Sequence, residues 1–393
     1  MKYIYTIILF ILIGLISNCE FENNDNGSQK EIKSLNSKSG SADYNVGYQR
    51  YTWTDFSRAE VATTNLFDFR TVVVDIYYPT TWSEGTVSDL KDRLYKCNYL
   101  RNDVEQTLAM SLCEDPIRVT ARQFAPISTD STYPVILYNA GWTSDRNDNT
   151  RILNHLVKSG YVVVAIGSPY TDGLVYVNGK YAFTKLPGSD NYTQYMDFYM
   201  YMIEHPEEVS AFIADRCAVN VEDAAFVIQK LQSINGWLFS NKLDFGNMGY
   251  FGFSLGGWTA NLALKRIPSI DAAINLDGGI HPEAANAGVY KPYMLITATA
   301  LNQMNQLNVF GETIPSGLTF IIDGSAHYNY SDLCDSDVIQ SYGLCGTIDP
   351  VRMSEITTAY VKAFFDKHLK EIDNPILQAP MEGYPEIISF FAK

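Results

Sequence analysis

Short apolar runs alternate with longer stretches of helical spacing along most of this 393-residue chain. Residues 161–166 are an almost unbroken valine run, which is typical of a parallel strand buried on both faces. Another apolar run lies at 133–138, and a helical stretch at 150–159, ending before Gly160, connects the two runs. The order strand, helix, strand predicts a βαβ unit.

Further elements of both kinds are predicted on either side of this unit. Runs at 44–58 and 69–78 predict an antiparallel pair that opens the fold. Asn178-Gly179 lies between two alternating runs and predicts a β-hairpin within an excursion at 170–200. The later predicted elements are a helix at 195–232 bent near His205, a strand at 247–251, a helix at 258–266, strands at 271–276, 293–297 and 318–322, and a helix at 350–369. This alternation predicts the α/β class, with a mostly parallel central sheet and helices on both faces.

The N-terminal residues predict export and not a folded element. Residues 1–18 contain a lysine at position 2 and an apolar run at 7–16, and Cys19 follows directly. Cleavage before Cys19 and acylation of its thiol would anchor the chain to a bacterial envelope membrane, facing the periplasm or on the outer membrane. A signal peptide without lipidation, cleaved or retained as an anchor, stays open as an alternative. Residues 19–42 are then a flexible tether, and 43–393 form the folded domain, with a lid-like insertion at 80–125.

The amino-acid composition limits the classes of ligand that the chain is expected to bind. Acidic residues number 44 against 29 basic ones, which gives a net charge of −15 and argues against nucleic acid. Neither a CxxC motif nor a closely spaced histidine pair is present, so no metal or other cofactor is predicted. Outside the cytoplasm disulfides can form, and two local pairs are expected. They are Cys97 with Cys113 and Cys334 with Cys345, which leaves Cys217 free in a helix.

Candidate chemistry centres on the sequence Gly252-Phe253-Ser254-Leu255-Gly256. In a Gly-x-Ser-x-Gly motif the serine lies on a tight turn from a strand to a helix, where only glycines fit two residues to either side. The apolar run before Ser254 and the helical stretch after it match that context. Ser254 is therefore the candidate nucleophile.

A serine hydroxyl needs an imidazole as its base, and the chain has five histidines. His155 and His205 precede the serine, whereas the expected chain order is serine, acid, histidine. His368 lies inside the C-terminal helix, where a solvated or dipole-neutralising role is expected. Of the remaining two, His281 and His327, only His327 lies just past the end of the last apolar strand, in a loop that would bring it over the edge of the sheet, so we expect His327 to be the general base.

The acid is less directly indicated. The usual position after the strand at 293–297 is empty, because residues 298–308 contain no Asp or Glu. One strand earlier, Asp277 ends an apolar run and precedes two glycines, so Asp277 is the predicted acid. Glu312 and Asp323 remain alternatives. For the oxyanion hole, we expect the backbone N–H of Leu255 and that of Gly141 or Trp142. Trp142 could instead line the substrate pocket.

With these residues placed, the chain resembles the platelet-activating factor acetylhydrolase family of α/β-hydrolases, the lipoprotein-associated phospholipase A2 type. The matching parts are the opening strand at 72–79, the serine turn at 252–257, the acid strand at 275–278 and the histidine loop at 324–332. That family also places its acid one strand early. It usually has His-Gly in the oxyanion loop, where this chain has Asn139-Ala140. The resemblance implies calcium-independent ester hydrolysis through an acyl-serine intermediate.

These observations predict a serine carboxylic-ester hydrolase of the cell envelope that acts on short-acyl lipid or carbohydrate esters. Two alternatives remain open at this point. One is a peptidase of the same fold, and the other is a binding lipoprotein with a weak or inactive triad.

Overall fold

The computed structural model describes residues 44–84, 121–177, 179–184, 201, 204–288, 290–298, 314, 317–341 and 343–392. Within these residues, ten strands form one mixed sheet and two form a separate hairpin. The strands are β1 Asn45–Ala59, β2 Phe69–Thr80, β3 Ala121–Gln123, β4 Tyr133–Asn139, β5 Val162–Gly167, β6 Leu174–Val177, β7 Lys180–Phe183, β8 Leu243–Phe253, β9 Ala272–Leu276, β10 Tyr293–Ala298, β11 Gly317–Ile322 and β12 Ile387–Ala392.

The sheet order is β12-β11-β10-β9-β8-β4-β5-β2-β1-β3. The six strands from β11 to β5 in that order run parallel to one another. The parallel strands therefore end at one common edge of the sheet, and the loops that leave this edge can meet. The predicted mostly parallel sheet and the predicted antiparallel opening pair, β1 with β2, are both confirmed.

Helices cover both faces of the sheet. They are α1 Thr150–Lys158, α2 Pro206–Leu238, α3 Leu255–Arg266, α4 Pro282–Ala287, α5 Asp337–Ser341 and α6 Pro350–Lys370. One buried apolar cluster packs α2 and α3 against the sheet, and a second packs α1 and α6 against its other face. The predicted α/β layering is thus confirmed, and the apolar faces of these helices form the two halves of the core.

The sequence pattern placed several boundaries differently from the structure. The helix α2 begins at Pro206, which suits the first helical position because it lacks an N–H, and it ends six residues beyond the predicted end. The helix α3 begins at Leu255, three residues early, since Gly256 and Gly257 are helical. The hairpin predicted around Asn178 is present as β6 and β7. Most of the predicted insertion at 80–125 lies outside the described residues, and its last part contributes β3 beside β1.

Several short elements were missed, among them a strand and a helix near the sheet edges. The strand β12 pairs antiparallel with β11 at the edge of the sheet, and α4 is a short helix capped by His281. Neither has a long periodic pattern, which explains the omission. No helix of the described residues is long and apolar enough to cross a bilayer.

A buried ion cluster joins β2 to the loop that follows β4. The Asp75 carboxylate is fully buried and accepts hydrogen bonds from Tyr48 Oη at 2.8 Å, Arg50 Nε at 2.6 Å and Arg146 Nε at 2.8 Å. Burial works to raise the pKa of Asp75, but the two guanidinium groups and Tyr48 outweigh it and hold that pKa below its usual range. Asp75 is therefore ionised and fixes the loop at 140–149.

Replacing Asp75 by asparagine is expected to lower the free energy of unfolding by about 3 kcal/mol at pH 7, because two largely buried arginines lose their counter-charge. The difference should shrink below about pH 4, where the unfolded wild-type chain takes up a proton at this aspartate. Urea unfolding at several pH values measures both effects. Glu355→Gln is the control, since Glu355 is 56% exposed where it meets Arg352 and its loss should cost less than about 1 kcal/mol. Equal stability of Asp75→Asn and wild type would contradict the expectation.

Candidate active site

Ser254 lies on a strained turn between β8 and α3, with φ 53° and ψ −114°. The packing around this turn leaves no space for side chains. A Cβ on Gly252 would lie 2.2 Å from the carbonyl carbon of Gly256, and one on Gly256 would lie 2.0 Å from the carbonyl oxygen of Asn139. Both glycines are therefore required for the turn that places Ser254 at the carboxyl edge of the sheet.

Three side chains from three strand ends form one hydrogen-bonded chain. Ser254 Oγ lies 3.0 Å from His327 Nε2, and His327 Nδ1 lies 2.6 Å from Asp277 Oδ2. Ser254 follows β8, Asp277 follows β9, and His327 opens a short 3₁₀ turn after β11. The His327 ring also packs against the ring of Phe253, with centroids 4.8 Å apart. An imidazole placed between an alcohol and a carboxylate can accept the alcohol proton.

Asp277 is held by more than the histidine. Its other oxygen, Oδ1, accepts hydrogen bonds from Thr297 Oγ1 at 2.7 Å and from the Ala298 N–H at 2.9 Å. Burial works to raise the pKa of Asp277, but the hydrogen bond and charge of His327, together with these two donors, lower it below its usual value. The carboxylate is therefore ionised, and its Oδ2 faces the imidazole.

Asn275 shapes the turn that carries Asp277, and sequence reasoning gave it no role. Its buried amide donates to the carbonyl oxygens of Gly278 and Gly279, each at 3.0 Å, and its Oδ1 accepts from the Gly278 N–H at 2.7 Å. Asp277 itself has a φ of 51°, which such a tight turn requires. An asparagine followed by Asp-Gly-Gly at a strand end is a turn pattern that could have indicated this contact.

Two backbone N–H groups lie beside the serine. Leu255 is the first residue of α3, so its N–H has no partner within the helix and lies at the helix N-terminus. A Cβ on Gly141 would come within 3.1 Å of Ser254 Cβ, so the backbone of Gly141 closely approaches the nucleophile. Trp142 is buried, and its ring packs against Phe212 of α2 with centroids 4.9 Å apart.

The loop that bears Gly141 is anchored from two sides. Arg146 bonds to the buried Asp75 of β2, as described above, and Asn147 Oδ1 accepts a hydrogen bond from Tyr77 Oη at 2.7 Å. The side chain of Asn139, at the end of β4, points into the sheet. There it donates to the Ile166 carbonyl at 3.2 Å and accepts from Tyr250 Oη.

A family model described as platelet-activating factor acetylhydrolase, isoform II, matches residues 218–384, which contain all three side chains of the hydrogen-bonded chain. A probable 1-alkyl-2-acetylglycerophosphocholine esterase from Arthroderma benhamiae is 24% identical over 310 residues, covering 70% of this chain and 72% of that protein. The structure of a ferulic acid esterase from Streptomyces cinnamoneus superposes with a TM-score of 0.72 at 22% identity, covering 88% of this chain and 96% of that one.

The chain has the α/β-hydrolase fold and is similar to the platelet-activating factor acetylhydrolases. The resemblance expected from the sequence is thereby confirmed, as is the α/β-hydrolase fold. The expected enzyme class, a carboxylic-ester hydrolase, is confirmed as well.

Two other histidines of this hydrolase, His281 and His368, make contacts with helices of the fold. His281 caps α4, where its Nδ1 accepts the Glu283 N–H at 3.2 Å, and burial lowers its pKa. His368 packs on Phe364 with ring centroids 4.6 Å apart, and burial lowers its pKa to about 4. The lowered pKa favours the uncharged ring and argues against the expected dipole-neutralising role, while the side chain itself is half-buried and partly reaches solvent.

The cysteine predictions have different outcomes. The disulfide between Cys334 and Cys345 is formed, and Cys217 is a buried free thiol in α2, both as expected. Cys19, Cys97 and Cys113 lie outside the described residues. Within the described part of the hydrolase, no group of three or more metal-ligating side chains comes together.

Proposed function

We propose that this hydrolase cleaves carboxylic esters through an acyl-serine intermediate on Ser254. The observation that carries the proposal is the unbroken chain from Ser254 Oγ through His327 to the ionised Asp277, at 3.0 and 2.6 Å. His327 is the base that takes the serine proton. Asp277 holds the imidazole with its proton on Nδ1, so that Nε2 is free to accept.

The reaction follows in two halves. Ser254 Oγ attacks the ester carbonyl carbon while His327 Nε2 takes its proton, and the carbonyl oxygen becomes an oxyanion. Collapse of this intermediate breaks the bond to the alcohol oxygen, which leaves with the proton from His327. Water then attacks the acyl-serine, again giving a proton to His327, and the second collapse releases the acid and returns the proton to Ser254.

The N–H groups of Leu255 and Gly141 are the proposed donors to the oxyanion. Leu255 offers its N–H from the positive end of α3, and Gly141 comes close enough to Ser254 to reach the same oxygen. The adjacent Trp142 N–H is an alternative second donor.

A short acyl group is the proposed substrate class, on a lipid or carbohydrate alcohol. Trp142, the residue after Gly141, is buried and its ring packs against Phe212, and we take this pair as an apolar wall that limits the length of the acyl group. The relative from Arthroderma benhamiae is named as an esterase of a 2-acetyl phospholipid, which agrees with a short acyl chain. The net charge of −15 disfavours acidic substrates and anionic lipid surfaces.

We place the enzyme at the cell envelope of a bacterium, anchored through acylated Cys19, because the apolar run at 7–16 ends shortly before this cysteine. Partition of the full chain between a detergent phase and water tests this part. The hydrogen-bonded triad favours an enzyme over a binding lipoprotein, and no feature of the described residues specifically favours a peptidase.

Labelling with a fluorophosphonate probe, followed by a series of p-nitrophenyl esters from acetate to palmitate, tests the mechanism and the substrate class together. We expect one labelled peptide, which contains Ser254. We also expect a kcat/KM that is highest for acetate to butyrate and at least about 10-fold lower for palmitate, since the longer acyl chain would collide with the wall formed by Trp142 and Phe212. Unlabelled protein without turnover would overturn the serine mechanism. Labelled protein that prefers palmitate would overturn only the acyl length.

A further inference from the structure

The loop that carries His327 packs directly on a second loop at 343–348. The Ile348 N–H donates to the Gly324 carbonyl oxygen at 3.0 Å. Gly346 comes closer still, because a Cβ on it would lie 2.1 Å from the Gly324 carbonyl oxygen and 2.7 Å from the Ala326 nitrogen. The backbone leading to His327 is therefore in van der Waals contact with the second loop, with no side chain between them.

One side chain joins the two loops by hydrogen bonds. Asn329 is buried, and its Oδ1 accepts from the Ala326 N–H at 2.8 Å and from the Gly346 N–H at 2.7 Å. The Asn329 N–H in turn donates to the Ala326 carbonyl at 3.0 Å, which closes a tight turn around His327. The Nδ2 atom of Asn329 has no hydrogen-bond partner among the described residues. The amide thus acts here through its oxygen alone.

The second loop is itself fastened next to this contact. Cys345, the residue before Gly346, forms the disulfide with Cys334, and Cys334 is buried beside the histidine turn. The Cys334 carbonyl oxygen accepts a hydrogen bond from Gln340 Nε2 at 2.8 Å, within the segment that the disulfide closes. Gly346 is therefore held against the histidine loop by a covalent bond one residue away.

We propose that Asn329 is a positioning residue for His327, and that the Cys334–Cys345 disulfide keeps its partner Gly346 in place. Asn329 touches neither Ser254 nor Asp277 in the structure's hydrogen bonds. Its role is to fix the backbone on both sides of the imidazole, so that Nε2 stays within reach of Ser254 Oγ. This inference rests on the proposed function, in which His327 is the base.

Four variants of the full chain test it: Asn329→Leu, Asn329→Asp, Cys334→Ser/Cys345→Ser, and Asn329→Leu combined with the two serine substitutions. Leucine removes the acceptor but keeps a similar size, and aspartate keeps an oxygen that can accept both N–H groups. Misplacement of a catalytic group by about 1 Å costs about 100-fold in rate, so we expect Asn329→Leu to lower kcat for p-nitrophenyl acetate by about 30-fold with KM little changed. Asn329→Asp should retain kcat within about threefold.

The disulfide variant should lose about fivefold in kcat, and dithiothreitol should have the same effect on the wild type but none on this variant. The loss in the combined variant should be smaller than the product of the separate losses, because both changes release the same contact. Thermal unfolding of each variant confirms that it is folded at the assay temperature.

Several results would overturn the proposal. An Asn329→Leu variant that is folded and fully active would do so, as would an Asn329→Asp variant as slow as Asn329→Leu. If the kcat loss in the combined variant equals the product of the separate losses, the disulfide and Asn329 act independently, and the proposed link between them is refuted. If Asn329→Leu does not fold, the disulfide variant and the Asn329→Asp variant still decide the question. Failure of the proposed function is distinguishable, since wild-type protein would then neither hydrolyse the ester nor react with a fluorophosphonate.

Discussion

Replacement of Ser254 by alanine is expected to lower kcat/KM for p-nitrophenyl acetate by at least about 10⁴-fold, because the attacking oxygen is lost and the rest of the triad has nothing to activate. The free energy of unfolding should not fall together with this activity. Ser254 has a strained φ of 53°, and within the described part of the chain its hydroxyl bonds to His327 at 3.0 Å and to no core group. Ester hydrolysis and urea unfolding of the same preparation measure the two quantities.

Ser233→Ala is the matched control for this prediction. Ser233 lies on the exposed side of α2, where its hydroxyl donates to the Lys230 carbonyl one turn earlier. Its activity and fluorophosphonate labelling should match the wild type. Turnover by Ser254→Ala near the wild-type rate would remove Ser254 as the nucleophile, even with the fold intact.

The nucleophile turn could be predicted from sequence because its sterics are local. The backbone of Gly256 lies so close to Asn139 that only glycine fits, and a Gly-x-Ser-x-Gly pattern between a strand and a helix therefore encodes the turn. The positions of Asp277 and His327 followed from a second general property. Asp277 comes directly after an apolar run and His327 lies five residues past the end of one, and parallel strands deliver such residues to one edge of the sheet.

The contacts that support the triad could not be predicted in this way. Thr297 and Ala298 donate to Asp277 across 20 and 21 residues of sequence, and Asn329 joins two loops whose proximity depends on a disulfide. These contacts depend on the strand order and on loop packing, neither of which has a periodic signature in the chain. The start of α3 was misplaced for a related reason, since glycines weaken a helical pattern even where close packing demands them.

The sequence Asn139-Ala140 acquires a structural explanation. Where related enzymes usually have His-Gly, the Asn139 amide is buried in the sheet and joins β4 to β5 through Ile166 and to β8 through Tyr250. The side chain therefore stabilises the strand ends beneath the turn. The Gly141 backbone, two residues later, still lies against Ser254. Asn139 thus stabilises the turn, while the backbone of Gly141 is left to present an N–H group to the substrate. The departure from the family pattern is therefore compatible with an oxyanion hole.

The role of Asp277 gives the second large prediction. Asp277→Asn is expected to lower kcat for p-nitrophenyl acetate by about 10³- to 10⁴-fold with little change in KM. The size of the effect follows from the two donors on Oδ1. Thr297 and Ala298 would keep the amide oxygen of the new asparagine, which turns its NH₂ group toward His327 Nδ1. The imidazole must then carry its proton on Nε2, where it can no longer accept the proton of Ser254.

Two control variants distinguish Asp277 from the other candidate acids. Asp323→Asn changes an exposed residue whose N–H pairs with the Glu386 carbonyl, so its kcat should remain near that of the wild type. Glu312→Gln tests the acid that lies outside the described residues, and it too should leave kcat within about twofold, because Asp277 already occupies Nδ1 of His327. A large loss in Glu312→Gln together with an active Asp277→Asn would move the acid one strand later, to the position that many members of this fold use. A large loss in Asp277→Asn alone would instead establish that the carboxylate after β9 orients the imidazole. Thr297 and Ala298 of β10 are then the donors that hold this carboxylate in place.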